Sequence, residues 1–402
     1  MNDLLTEQQQ RDLRLARWYY FLLSGPALIA PYLNVFYTRL GITGTEIGTV
    51  AAVGSIVTLI VAPIWTGFGE RWARPRLILQ LALLVVAAGY LVLGLQHHFI
   101  GILITTACLA LGAAAIAPFS DMLAMTIASS VKKGFGDIRV RASAGWVVFG
   151  IFGGLVIEHV EMYFMFIITA LAYGGSVLTL LPIGSAHFST RHVDNADKNV
   201  QYQFKTVLGN LMRHRPFIGL CLMLVVAGLT NAGIQQFENV FLSQLGASDG
   251  MLGILNVLGA AVEVPCMLWA DRLMDRRMSA HRGILISMLM TAGIRLLVMI
   301  VPSVGMIVVE RVIGGLAYSL FAIGLMRFVV AETLPHETRT VLALVNITIP
   351  SLINMLGSPL GGALYDSIGP RWLYPISALG YLLSWVALYF TRPRPETGAP
   401  SI

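Results

Sequence analysis

Twelve runs of about 20 predominantly apolar residues limit what this chain can fold into. Each is long enough to cross a hydrocarbon layer of about 30 Å as a helix, the one open segment that satisfies all its own backbone polar groups there. They lie near residues 17–38, 45–69, 76–95, 99–128, 139–157 and 160–182, and again near 216–244, 249–270, 281–300, 304–331, 337–365 and 369–390. Only 12% of the 402 residues are charged, against roughly 25% in ordinary soluble domains. With 56% hydrophobic residues, a chain of this size has no way to bury its apolar surface in water. Soluble, disordered, collagenous and disulfide-scaffold classes are therefore excluded. The expected class is an all-α, multi-pass membrane protein with the lipid bilayer as its solvent.

Cys108, Cys221 and Cys266 all fall inside apolar runs and read as small buried hydrophobes. Residues 1–17 are polar and lack an apolar h-region, so no cleaved signal peptide is expected. The net charge of +6 does not call for nucleic acid, because the basic residues concentrate in alternate short loops. Arg11, Arg14, Arg17, Arg71, Arg74, Arg76, Lys132 and Lys133 share one side with the basic central linker and with Arg272, Arg276, Arg277, Arg282, Arg339, Arg392 and Arg394. The loops of the other side hold only Arg39 and Arg371. This asymmetry predicts cytoplasmic termini, an even number of spans and an inner-membrane location.

The stretch from Gly184 to Phe204 is the only long polar one, and it divides the chain into 1–183, a linker over 184–215, and 216–402. The two halves repeat. Asn34-Val35-Phe36 recurs as Asn239-Val240-Phe241, Leu40-Gly41 as Leu245-Gly246, Gly48 as Gly253, Gly54 as Gly259 and Glu70-Arg71 as Asp275-Arg276, every pair 205 positions apart. Both copies start on the cytoplasmic side, so the repeat is parallel and predicts two pseudo-symmetric six-helix bundles.

With its two six-span halves, its cytoplasmic linker and a loop signature after the second span of each half, the chain resembles the major facilitator superfamily. That signature reads G-x-x-x-D-R-x-G-R-K. Here Glu70-Arg71 and Asp275-Arg276 stand at its acidic-basic step, while Thr66 and Asp271 stand at the leading glycine. In such a family these four residues would form a charge clamp that gates the cytoplasmic seam.

Within the superfamily, the runs Ala117-Pro118-Phe119-Ser120-Asp121, Phe135-Gly136-Asp137-Ile138-Arg139 and Ala144-Gly145-Trp146 are similar to the branch that includes lactose permease, the phenylpropionate permeases and nucleoside–proton symporters. The 18-residue interval from Asp121 to Arg139 is kept without a gap. The resemblance puts Asp121 on the branch's substrate-binding acid, Arg139 on the arginine that partners it and Trp146 on its sugar-stacking tryptophan. The histidine and acid that the branch carries on its tenth helix have no counterpart, and the run there reads Glu310-Arg311.

A charged side chain at mid-bilayer costs about 2.5–3.5 kcal/mol on insertion scales, so such residues need a partner or a water-filled space. Asp121, Glu238, Glu263, Arg295, Glu310 and Arg311 are of this kind. Asp121 and Arg139 can accept from and donate to a hydroxyl-bearing ligand while cancelling each other's charge. Trp146, seven residues after Arg139, lies on the same helical face. The alternative role for these three is an interfacial indole beside a structural ion pair.

Asn34, Asn239 and Gln235 are further candidates for lining a polar passage, with helix–helix hydrogen bonding as the other reading of the two asparagines. Glu263, flanked by valines and Pro265, is the leading protonatable carrier. Arg295, Glu310 and Glu238 complete the proton-coupling set: Arg295 is expected either to switch on Glu263 or to form a permanent buried pair with it, and of Glu310 and Arg311, about 100° apart on their helix, one is expected to face Arg295 and the other the opposite wall.

These residues point to a secondary transporter that imports a small polar solute, sugar-like or nucleoside-like, with protons by alternating access. The fifth span lacks the Gly-Pro step that the superfamily's drug–proton antiporters carry, which favours import. An exporter of amphipathic compounds or drugs is the alternative, and a non-transporting sensor the third possibility. No catalytic constellation, metal-ligand spacing or cofactor motif is visible, and a monomer is expected.

Overall fold

The computed structural model describes residues 6–72, 74–131, 134–188, 215–333 and 337–391. The helices are α1 Glu7–Leu22, α2 Leu33–Arg39, α3 Gly44–Trp72, α4 Pro75–Leu93, α5 Phe99–Ser130, α6 Gly136–Val156 and α7 Met162–Leu180. They continue as α8 Arg215–Gln244, α9 Asp249–Arg276, α10 Ala280–Ile300, α11 Val304–Glu332, α12 Thr338–Ala343, α13 Ile349–Ile368 and α14 Leu373–Phe390. Among the described residues these make twelve spans long and apolar enough to cross a bilayer, with α1–α2 and α12–α13 each forming one. Large apolar side chains face outward along them, Leu171, Ile300 and Phe390 among the most exposed, as expected where the solvent is hydrocarbon.

The first span departs from the continuous helix expected over 17–38. It starts at Glu7, where Thr6 and Gln9 form a reciprocal capping box, and it breaks after Leu22. A single 3₁₀ turn over Gly25–Leu28 and irregular backbone then lead into α2. Pro26 cannot donate the N–H that would continue α1. At the repeat-equivalent positions α8 carries Thr230-Asn231, and that helix runs through. The eleventh span has its own irregularity. It widens into a π turn over Leu344–Thr348, which ends two residues before Pro350, where the missing N–H leaves the α-helical ladder one bond short.

The repeat holds at the level of single hydrogen bonds. At the end of α2, Gly41 has φ +80°, the Gly41 N–H donates to Thr38 O and the Ile42 N–H to Tyr37 O. At the end of α8, Gly246 has φ +92°, its N–H donates to Ser243 O and the Ala247 N–H to Leu242 O. Both are Schellman caps, which need a left-handed residue that only glycine adopts cheaply. Thr43 and Ser248 then cap the next helix in each half through the N–H groups of Glu46 and Met251.

The chain forms two compact units. The first comprises Met1–Asp194 together with Gln236–Leu258, the second Asn195–Gln235 together with Gly259–Ile402. The core of the first gathers Tyr19, Leu79, Leu83, Phe119, Leu123 and Tyr173. That of the second gathers Phe217, Met223, Ile284, Met288, Phe328 and Leu388. The three cysteines are unpaired, and Cys108 is exposed rather than buried as its apolar surroundings suggested.

Candidate functional site

In the first unit, two consecutive residues of α1 bond two consecutive residues of α5. The Tyr19 hydroxyl lies 2.5 Å from Ser120 Oγ, fully buried. The Tyr20 hydroxyl donates to Asp121 Oδ1 at 2.8 Å. Arg139, in the first turn of α6, brings Nη1 to 3.5 Å from Asp121 Oδ2 and lies 5.5 Å over the ring of Phe135. The pair is open, with the Arg139 side chain 61% and the Asp121 side chain 37% exposed. A one-point contact at 3.5 Å leaves most of the guanidinium's five donors free. Trp146 is half-buried on the same α6 face. One turn before Tyr20, Arg17 pairs with Asp137 at 2.5 Å, tying α1 to the start of α6. The geometry can neutralise itself when empty and hydrogen-bond a polar solute beside an indole.

The second unit holds a buried polar cluster. Arg295 Nη1 lies 3.1 Å from Glu310 Oε1, with side chains only 10% and 6% exposed. Arg295 Nη2 donates to Asn231 Oδ1 at 3.4 Å, which also accepts from Ser377 Oγ at 3.1 Å, and the guanidinium sits 5.5 Å over the Tyr374 ring. This corrects the expected Glu263–Arg295 partnership. Arg295 and Glu310 stand nearly equidistant from the turn joining α10 to α11, so the hairpin brings them to one depth. Glu263 on α9 is half-buried, and among the described residues its carboxylate makes no hydrogen bond or ion pair. Its backbone carbonyl accepts from Ser319 Oγ at 3.2 Å.

The two asparagines are both hydrogen-bonded, and reciprocally. Asn34 Nδ2 donates to the backbone carbonyl of Gln236 at 2.7 Å, while Asn239 Nδ2 donates to the carbonyl of Pro31 at 2.9 Å. Pro31 and Gln236 are themselves 205 positions apart, so each asparagine clasps the other copy's backbone about a local pseudo-two-fold. The same side of the first unit carries a fork–fork pair, with Arg39 Nη1 at 2.8 Å and Nη2 at 2.7 Å from the two carboxylate oxygens of Asp249. Asp249 opens α9, where a negative charge suits the helix dipole. The equivalent positions in the other copy, Gly44 and Gln244, cannot make that pair. Gln235 is exposed and Glu238 half-buried.

Glycine makes the close approach possible. A Cβ on Gly253 would lie 2.3 Å from the Tyr32 hydroxyl and 2.7 Å from Gly154 Cα, both backed by packed helices. Gly253→Leu is therefore expected to wedge this seam open. In a cysteine-free background carrying Arg39→Cys and Asp249→Cys, a short bis-maleimide should cross-link at least several-fold less once Gly253→Leu is added. Equal yields would show that the seam tolerates a side chain.

At the signature loops, the side chains of Glu70 and Arg71 lie outside the described residues. Asp275 and Asp271 both accept from Arg327 Nη2, at 2.7 and 2.6 Å, clamping α9 to α11 within the second unit, and Arg276 is exposed. The Asp275 clamp thus closes on a neighbouring helix of its own unit, through Arg327. Tyr20 and Ser377 escaped the sequence pattern, because a lone tyrosine or serine in an apolar run carries no pattern of its own, and Arg17 stood out there only as a basic loop residue.

The family model described as the MFS_1 like family matches residues 13–376. The chain belongs to the major facilitator superfamily. It is 25% identical over 372 residues to the maltose permease of Geobacillus stearothermophilus, covering 88% of this chain and 87% of that one. It is 21% identical over 405 residues to the multidrug resistance protein MdtG of Dickeya zeae (strain Ech586), covering 96% and 97%. Among solved structures, that of the nucleoside transporter NupG aligns with a TM-score of 0.82 at 12% identity, over 96% of this chain and 99% of that one. The protein is thus a multi-pass membrane transporter of the superfamily, with its fold.

Proposed function

We propose that this transporter imports a small polar solute of the sugar or nucleoside class together with protons, by alternating access. The observation that carries the reading is the open Asp121–Arg139 pair between α5 and α6, with Trp146 on the same α6 face. The names of two of its relatives, a maltose permease and a nucleoside transporter, agree with a hydroxyl-rich cargo. The termini face the cytoplasm of a bacterial inner membrane in this reading, following the basic loops.

Glu263 is the proton carrier in this reading, a half-buried carboxyl within the α9 span whose side chain is not tied up in an ion pair as Glu310 is. The Arg295–Glu310 pair, held by Asn231 and Ser377, stabilises the unit around it.

The test begins with thermal stabilisation of the purified protein by a panel of sugars and nucleosides. A ligand at 100 times its Kd stabilises the folded form by about 2.7 kcal/mol. Uptake of the stabilising solute into proteoliposomes should then accelerate several-fold under an inward proton gradient. Glu263→Gln should keep uptake and lose that acceleration. Gradient-independent uptake by the unaltered protein would refute the coupling. The similarity to a multidrug resistance protein supports a second reading, export of amphipathic compounds. Raised drug tolerance on overexpression, without solute stabilisation or uptake, would select it.

A further inference from the structure

The Tyr20 hydroxyl spends its proton on Asp121 Oδ1 at 2.8 Å, and Arg139 Nη1 takes the other oxygen, Oδ2, at 3.5 Å. Both carboxylate oxygens are thus engaged, while the Arg139 fork remains 61% exposed. Directly beside this arrangement, the Tyr19–Ser120 bond is wholly buried and joins two uncharged hydroxyls. The rings of Tyr19 and Tyr20 meet edge-on, 5.6 Å apart. These two tyrosines therefore make the same kind of bond, one step apart on α1, with different consequences. Tyr19 only joins two helices. Tyr20 fixes the rotamer of a carboxylate that in turn faces a cation.

We propose that Tyr20 is a positioning residue of the substrate site: by committing one oxygen of Asp121, it limits that carboxylate to a one-point contact with Arg139 and leaves the guanidinium free to receive the solute. Without the phenol, Asp121 can turn both oxygens to Arg139. Two parallel N–H···O bonds form the stronger, preferred geometry for arginine and carboxylate. The donors meant for the solute would then be consumed inside the protein. The inference rests on the substrate-site reading above and gives it a direction: Arg139 is the group that reads the cargo, so the cargo must present oxygen acceptors.

Phenylglyoxal, which modifies accessible arginines, tests this without knowledge of the substrate. Modification of Arg139 in the purified full-length protein is followed by site-resolved mass spectrometry. Tyr20→Phe, which removes only the hydroxyl, is expected to slow modification of Arg139 at least threefold, and Asp121→Asn to speed it. The double variant should behave like Asp121→Asn alone, since Tyr20 acts only through that carboxylate. Tyr19→Phe is the control that breaks the neighbouring bond. A change of equal size in Tyr19→Phe, or none in Tyr20→Phe with its melting temperature retained, overturns the proposal. If Tyr20→Phe does not fold, Tyr20→His keeps a ring donor at this position and should hold the modification rate near that of the unaltered protein. A threefold change there would equally overturn it.

Uptake of radiolabelled uridine and maltose adds the functional arm, with a rise in KM at unchanged Vmax expected for whichever probe moves. Normal uptake by both Asp121→Ala and Arg139→Ala would instead sink the substrate-site reading. The coupling between Tyr20 and Arg139 would then stand without a role in transport.

Discussion

Asp121→Ala and Arg139→Ala are each expected to abolish uptake while leaving a folded protein. The two halves of this outcome have different causes. Exposed ion pairs contribute about 0–1 kcal/mol to stability, and in this pair the Arg139 side chain is 61% and the Asp121 side chain 37% exposed, with the bond from Tyr20 the one further contact Asp121 gives up. Removing one member should therefore shift the melting temperature by only a few degrees. A charge-assisted hydrogen bond to the solute is worth about 1.5–3 kcal/mol, so its loss weakens binding roughly 10- to 100-fold. In the alanine variants the surviving charge also lacks its counter-ion, which further disfavours a neutral solute. Uptake into proteoliposomes and thermal unfolding, measured on the same preparations, separate these effects. Loss of folded protein in step with loss of uptake would make the pair structural.

Glu310→Ala should do the opposite, and severely. Arg295 is 10% exposed and its countercharge sits 3.1 Å away. Taking away one partner of a buried pair leaves an uncompensated charge, at a cost of about 3–5 kcal/mol. Asn231 still accepts from the guanidinium but carries no charge to balance it. The double variant Arg295→Met/Glu310→Leu replaces both ions with apolar groups of similar volume. It should recover most of the lost stability, because such replacements are often neutral or stabilising. Thermal unfolding in detergent checks the order: Glu310→Ala well below both the double variant and the unaltered protein. A double variant as unstable as the single one would mean that the cluster contributes more than charge balance.

Much of the architecture was legible in residue patterns because the bilayer imposes one dominant rule. Twelve apolar runs gave the spans, and the 205-residue offset reappeared as matched caps at Gly41 and Gly246. What hydropathy cannot register is a local backbone fault. Pro26 and Pro350 sit in runs apolar enough to span, yet one breaks a helix and the other follows a π turn.

Side-chain pairing was legible only in part. The interval between Asp121 and Arg139 carried over from a family resemblance, and their atoms meet. For Arg295 the residue pattern left two acids open, Glu263 and Glu310. Only the α10–α11 hairpin decides between them. The clasp of Asn34 and Asn239 was visible as a repeated residue, but a repeat does not say whether its members face a passage or each other's backbone.

On this account Asp121 and Arg139 face water rather than lipid. The most direct measurement replaces Cys108, Cys221 and Cys266, places single cysteines at 121, 139 and 171, and follows labelling by a water-soluble maleimide in proteoliposomes. Leu171 is the lipid-facing reference, 67% exposed on the apolar surface of α7. Positions 121 and 139 should label rapidly while 171 stays nearly unreacted. Labelling at 121 and 139 as slow as at 171 would contradict the account.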